Sequence, residues 1–296
     1  MLISRQLIHL NLMLSCISVT QSQVHSVAYK LSKSYTLITT IHNHNATGNQ
    51  LEKMVNKMGL IFTLVGVISL ALATLGSPYP KAKQEDGVHT KCTQPGMFSL
   101  TFDDGPLPGR TEAVLDVLKE ANVTATFFVC GQTYSDLHSV EGQATVRRII
   151  AEGHQIGIHT WSHPYLADPW RSVEEVTNEV KSVADKLLEI TGNRIPIMRP
   201  PYGAYNDSVL DIVRGELGLE VIMWNVNTLD WSHPGDTAAA IENYKIETSG
   251  SHPSVDSFIA LHHDPLPGSS ELAVEAIRFM ISAGYRFVTV GECIGL

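Results

Sequence analysis

Basic residues are in short supply in this chain: 21 Lys and Arg stand against 30 Asp and Glu, a formal net charge of −9. No stretch of them forms the electrostatic footprint of a nucleic-acid binder, so nucleic acid is excluded as an expected partner. No G-x-G-x-x-G or P-loop follows the first strand candidate, which argues against a dinucleotide or nucleotide fold. There is no internal repeat, no second domain after the last strand candidate, and no apolar C-terminal tail of the lipid-anchor kind. Cysteine is limited to Cys16, Cys92, Cys130 and Cys293. Against these absences, 44% hydrophobic residues over 296 positions supply a sizeable core.

The first ninety residues differ in kind from the rest. Residues 59–75 form an uncharged apolar run, preceded by Lys53 and Lys57 and followed by Gly76, Ser77 and Pro78. This is the pattern of a signal peptide, although it lies far from Met1. Residues 1–53 are therefore expected to be a non-native leader from a misplaced start, with translation beginning at Met54 or Met58. Read from Met1 instead, 54–76 becomes a short membrane anchor, its apolar run at the bottom of the spanning range. Residues 77–91 read as a linker and 92–296 as a single folded domain. Cys16 would leave with the leader. A Cys92–Cys293 bridge would tie the ends of the domain together, their separation permitting. Cys130 reads as a buried free thiol.

From Cys92 onward the chain alternates. Strand candidates at 97–102, 125–130, 155–158, 195–198, 220–226, 257–262 and 286–290 are separated mostly by amphipathic segments at 111–121, 145–152, 172–191, 207–217, 237–247 and 270–283. Ser172 to Glu175 reads as a capping box and Gly192 as a helix stop. Such alternation predicts a parallel sheet, open or closed into a barrel.

Chemistry-bearing residues fall at the C-terminal ends of these strands, where the loops of an α/β barrel build a site. Asp103 and Asp104 stand side by side after an apolar strand, an arrangement that is costly unless a cation or hydrogen bonds compensate it. His159 and His163 share one face if their segment makes a single helical turn, which Pro164 would stop. With the strand-end Asp pair they supply the Asp/His/His set typical of a catalytic zinc site. In Arg199-Pro200-Pro201-Tyr202-Gly203, two prolines remove two donors and present the Tyr202 amide rigidly, as an oxyanion hole requires, while Arg199 offers a cation to one Asp. The fifth and sixth strands lead to Asn227-Thr228-Leu229-Asp230-Trp231 and Leu261-His262-His263-Asp264. A strand-end His near an Asp suits a general acid, and the Trp231 indole has the flat apolar face on which sugar rings stack.

The set TFDDGP, HTWSHP, RPPYG, LDW and LHHD, in this order, resembles the polysaccharide deacetylases of the NodB-homology type, carbohydrate esterase family four. The resemblance covers 92–296; Cys92, the Trp161 of HTWSHP and TVGEC at 289–293 are most similar to fungal chitin deacetylases. It implies a distorted (β/α) barrel of mostly parallel strands in a single catalytic domain. It also implies zinc, or another divalent metal such as cobalt, held by Asp104, His159 and His163. Asp103 would be the catalytic base, oriented by Arg199; His263 the general acid, partnered by Asp230; Tyr202 and Trp231 would line the sugar site. The implied activity is that of a secreted, wall-associated or soluble hydrolase that removes N-acetyl groups from chitin or N-acetylglucosamine oligomers, as a monomer with no stable protein partner. Peptidoglycan or acetylxylan deacetylation and an inactive wall-binding protein are the competing readings. The family's D-x-x-D-W motif begins here with Asn227 in place of its first acid.

Overall fold

Along the strand Met97–Asp103 (β2), Phe98, Leu100 and Phe102 alternate with Ser99, Thr101 and Asp103, and all six are buried. Successive side chains of a strand point to opposite faces, so this strand must be covered on both, one face apolar and one polar. Phe98 packs its ring near Tyr244 of a surrounding helix, whereas Thr101 and Asp103 meet the Arg199 guanidinium inside the sheet's curve.

A computed structural model describes residues 87–296. The leader 1–53, the segment 54–76 and the first part of the 77–91 stretch lie outside the described residues. The end of that stretch belongs to the sheet, as Val88–His89 (β1). The remaining strands are β3 (Thr126–Val129), β4 (Gln155–Ile158), β5 (Ile197–Met198), β6 (Glu220–Ile222), β7 (Val226–Asn227), β8 (Phe258–His263) and β9 (Arg286–Phe287). They run in the order β1-β6-β5-β4-β3-β2-β8-β7, with β9 also on β2, and every ladder between them is parallel.

The expected strand 220–226 is broken in two. β6 pairs with β5, and β7 pairs with β8. Between them the Met223 amide donates to the His89 carbonyl at 2.7 Å and the Asn225 amide to the Ile259 carbonyl at 3.1 Å. Residues 223–225 thus carry the chain from one end of the hydrogen-bonded path to the other and bring the curled sheet round into a distorted barrel.

Helices cover the outside: α1 (Arg110–Ala121), α2 (Val140–Ala151), α3 (Val173–Thr191), α4 (Asp207–Leu210, continued by a wider turn through Glu216), α5 (Thr237–Glu247), α6 (Ser269–Ser282) and α7 (Val290–Ile294). α2 begins five residues before the expected 145, because Ser139 caps it by accepting from the Gly142 amide at 3.0 Å. α3 has the capping box at Ser172 and Glu175 and ends at Gly192, φ 71°. The last strand is shorter than expected: Thr289 caps α7 within the segment read as 286–290. α7 delivers Cys293 to Cys92, Cα to Cα 4.5 Å, in a disulfide that joins the start of the domain to its end. Cys130 is buried and free. Among the described residues no helix is long and apolar enough to cross a membrane.

Candidate active site

The parallel register sets Asp103 of β2 beside His263 of β8, so one carboxylate and one imidazole share the mouth of the barrel. A continuing strand would send Asp104 to the opposite face. Instead its backbone turns into the left-handed region, φ 73°, and the strand stops there. Thr133 fixes that turn by donating to the Asp104 carbonyl at 2.9 Å.

His159 follows β4, its amide held by the Val129 carbonyl at 2.9 Å. Its Nδ1 lies 2.7 Å from the Arg199 carbonyl. A ring nitrogen facing a carbonyl carries a proton, so Nε2 is the nitrogen whose lone pair a cation can take. The helical turn expected between His159 and His163 is absent. Thr160 (φ 69°) and His163 (φ 57°) are left-handed, and the Trp161 and Ser162 amides donate to the Glu179 carboxylate of α3. This loop nevertheless brings the two imidazoles to 5.0 Å between centroids.

The Nε2 atoms of His159 and His163 lie 3.3 and 3.2 Å from Asp104 Oδ1. That oxygen is buried and has no hydrogen-bond partner. An anionic oxygen without a partner, facing two imidazole nitrogens, is a donor set for a divalent cation. Among the described residues these three form a cluster whose ligand atoms lie within 4.8 Å of one another.

Asp103 sits beside this cluster, its Oδ2 3.7 Å from His159 Nε2 and its Oδ1 2.7 Å from Arg199 Nη1. Arg199 is fully buried at 0% exposure, which is tolerable for a guanidinium only if its donors are used. Nη1 also donates to Thr101, Nε to the Ile222 carbonyl and Nη2 to the Met223 carbonyl, with the Phe128 ring 4.2 Å beneath. Asp103 is thereby held in one rotamer with one oxygen turned to the metal cluster.

Across the mouth, His263 Nδ1 lies 2.7 Å from Asp230 Oδ1, and its amide donates to Asp230 Oδ2 at 2.8 Å. Burial pulls the imidazole pKa down, but the Asp230 bond and charge, helped by Asp103 and Asp104, outweigh it and raise it from 6.5 to about 9. Asp230 itself, which burial would raise, is held low by His263. Asn227 accepts the Leu229 amide at 3.0 Å, in a turn that presents Asp230 after left-handed Leu229. An amide oxygen serves that bond as a carboxylate would. His262 faces the other way: its Nε2 accepts from Tyr244 and its Nδ1 donates to the Thr101 carbonyl, and burial takes its pKa to about 4.

Tyr202 is 66% exposed, with φ 60°; its ring packs edge-on to His163 at 4.6 Å. The two amides after it are used by the Pro200 and Pro201 carbonyls. Trp231, 55% exposed, has its amide on Asp230 Oδ1. Two residues were not legible as site residues in the sequence. Glu179 binds the histidine loop; its signal is a carboxylate three residues after Val176 and four before Val183, at the edge of the buried face of α3. Asp264 is buried beneath Gly105, where any Cβ would lie within 2.3 Å of its carboxylate, and accepts from Thr111.

Together these features define a class: parallel α/β barrels with an Asp/His/His metal site flanked by a buried Asp–Arg pair and an Asp–His pair. The sequence pattern of the family described as polysaccharide deacetylase matches residues 90–222. A chitin deacetylase from Colletotrichum lindemuthianum is 34% identical over 247 residues, 79% of this chain and 94% of that protein. The peptidoglycan-N-acetylglucosamine deacetylase PgdA of Listeria monocytogenes is 37% identical over 198 residues, 67% of this chain; the chain spans 39% of that protein's length. The solved Colletotrichum structure superposes with a TM-score of 0.66 at 34% identity, covering 70% of this chain and 91% of that one. The peptidoglycan deacetylase PdaC of Bacillus subtilis gives 0.58 at 33%, covering 68% and 90%. The chain belongs to the polysaccharide deacetylase family.

Proposed function

We propose that this protein hydrolyses the N-acetyl groups of chitin or its oligomers, giving chitosan and acetate. The observation that carries the reading is the flanking of the Asp104/His159/His163 cluster by two differently prepared groups, Asp103 on Arg199 and His263 on Asp230. A divalent ion, zinc or a relative such as cobalt, would be held by Asp104, His159 and His163; when bound it supplies Lewis acidity for the acetyl carbonyl and for water. Asp103, fixed by Arg199, accepts the proton of the attacking water. The Tyr202 amide would donate to the oxyanion of the tetrahedral intermediate. His263, carrying its proton at neutral pH, gives it to the departing sugar amine, and Asp230 stabilises the imidazolium until then. Exposed Trp231 and Tyr202 offer ring faces for sugar stacking.

Chitin is favoured because the similarity extends over 94% of the Colletotrichum chitin deacetylase. Peptidoglycan glycan strands are the second reading, supported by the comparable identity to PgdA. A secreted protein is supported by the apolar run 59–75 and by the Cys92–Cys293 disulfide, which suits an oxidising compartment. The test is acetate release from N-acetylglucosamine oligomers, peptidoglycan and acetylated xylan in parallel, before and after chelation and zinc return. Zinc-restored release from the chitin oligomers is expected. Release from peptidoglycan or xylan alone would transfer the assignment to that polymer, and no release from any of them would leave a wall-binding protein.

A further inference from the structure

The loop from His159 to Pro164 carries two of the three metal-ligand side chains and belongs to no helix or strand. His159 is anchored twice, through the Val129 carbonyl and through its Nδ1 on the Arg199 carbonyl. The next four residues leave the sheet, two of them non-glycine residues in the left-handed region. The Thr160 and Trp161 carbonyls accept from the Gly131 and Gln132 amides at 3.1 and 2.7 Å, while the Trp161 and Ser162 amides go to a single side chain on a neighbouring helix. Glu179 Oε2 accepts from the Trp161 amide at 2.9 Å and the Ser162 amide at 2.8 Å, and Oε1 accepts from the Ser162 hydroxyl at 2.7 Å.

We propose that Glu179 is a positioning residue of this metal site: it holds His163, through the Trp161 and Ser162 backbone, in the geometry from which His163 reaches Asp104. The inference rests on the reading of Asp104, His159 and His163 as a metal site. Backbone that is left-handed at non-glycine positions persists only where surrounding contacts over-determine it, and here the carboxylate supplies three of those contacts. A charged acceptor for adjacent amides is also stronger than a neutral one. Loss of Glu179 leaves His159 where it is, because neither of its anchors passes through α3. His163 then keeps the edge contact with Tyr202 and the tie from the Tyr202 hydroxyl to its carbonyl, at 3.5 Å, and behind it the Trp161 carbonyl stays on the Gln132 amide while the Ser162 amide is freed. The site then falls from three ligands to two. Both amides use the same carboxylate oxygen, so a glutamine can serve them with its amide oxygen while the Ser162 hydroxyl turns to accept from its NH2.

The test compares Glu179→Met, which preserves length and helix propensity without an acceptor, with Glu179→Gln and with Glu179→Ala, each as the full chain. Two readouts are independent of turnover. Zinc affinity of the apo-protein, measured against a chromophoric chelator, should weaken ten- to a hundredfold in E179M and E179A, the range for partners behind metal ligands. In E179Q it should stay within about threefold of wild type, since one amide oxygen satisfies both N–H groups. Hydrogen exchange of the Trp161 and Ser162 amides should be slow in wild type and E179Q and fast in the other two, before any metal is added. A merely structural Glu179 would lower the melting temperature and leave zinc affinity unchanged, and that result overturns the inference. So does an E179Q that fails as badly as E179M. A wild-type protein that binds no zinc overturns the metal reading and this inference with it, whereas zinc bound equally by wild type and E179M overturns the inference alone.

Discussion

Replacing Asp230 by Asn should move the alkaline limit of activity, by an amount the geometry sets. Asp230 accepts from both Nδ1 and the backbone amide of His263, one through each oxygen. An asparagine can accept from only one of them, and it carries no charge to hold the imidazolium. In the native site His263 stands at about 9 against its ordinary 6.5, a preference for the protonated ring of about 3 kcal/mol at 1.36 kcal/mol per pH unit. Burial is the largest single influence and acts to lower the value, so without Asp230 the pKa should fall to about 6.5 or below. At pH 8 the fraction of His263 able to donate a proton drops from about nine-tenths to roughly a thirtieth, about a 30-fold loss in kcat/KM from this cause alone. At pH 6 most of the ring is protonated in either protein, and the defect should shrink to a few-fold. Acetate release from chitin oligomers across pH 5.5 to 9.5, with an NMR titration of the His263 ring, measures both. Linkage gives the matching stability profile. The raised pKa of His263 contributes stability that is complete below 6.5 and disappears as pH rises through about 9. An alkaline limb that stays in place in D230N would refute the assignment of His263 as general acid.

Three other outcomes follow from the same geometry. Asp103→Asn should abolish acetate release while oligomer binding persists, because the residue adjoins the metal cluster without belonging to it; unchanged release would remove Asp103 from the role of base. Arg199→Met should leave Asp103 buried without its cation and cost about 3–5 kcal/mol in urea unfolding, so a loss below about 1 kcal/mol would contradict the buried ion pair. Asp264, raised from 3.8 to about 7 chiefly by burial, with Thr111 opposing and Asp104 and Asp103 assisting, weakens the fold progressively as pH climbs between those values. Asp264→Asn in metal-free protein should therefore raise the melting temperature at pH 8 and raise it much less at pH 5; equal gains at both would show that the carboxyl does not titrate in this range.

How much of this was readable in the chain depended on whether a residue's chemistry matched its local pattern. Asp103 and Asp104 stood out because two carboxylates on an apolar strand need a cation, and Ser172 because a capping box is local in sequence. The barrel's alternation was legible from apolar period and glycines alone; Gly153, Gly218 and Gly284 occupy the left-handed turns between helix and strand. What the sequence could not express was anything set by contact across elements. The histidine spacing suggested a helical turn, but Thr160 and His163 are left-handed, and the Trp161 and Ser162 amides go to Glu179 on another helix. The break between β6 and β7 is likewise invisible in Glu220 to Asn227, an extended apolar stretch, because its cause is the competition of β1 and β8 for the backbone at 223 and 225. His262 and His263 are neighbours of one chemical type; only the alternation of β8 decides that one faces Tyr244 and the other Asp230.

That break in the wall has a consequence for how this protein can vary. The guanidinium that aims Asp103 also donates to the Ile222 and Met223 carbonyls, where β6 lets go of the sheet. One side chain is therefore both a rivet in the barrel's seam and the rest on which a reacting group lies. A mutation that adjusts the second task disturbs the first, so reactivity at Asp103 has no independent adjustment through Arg199. Descendants of this chain that change their chemistry have freer room around the exposed rings of Tyr202 and Trp231, which the barrel does not need to stay closed.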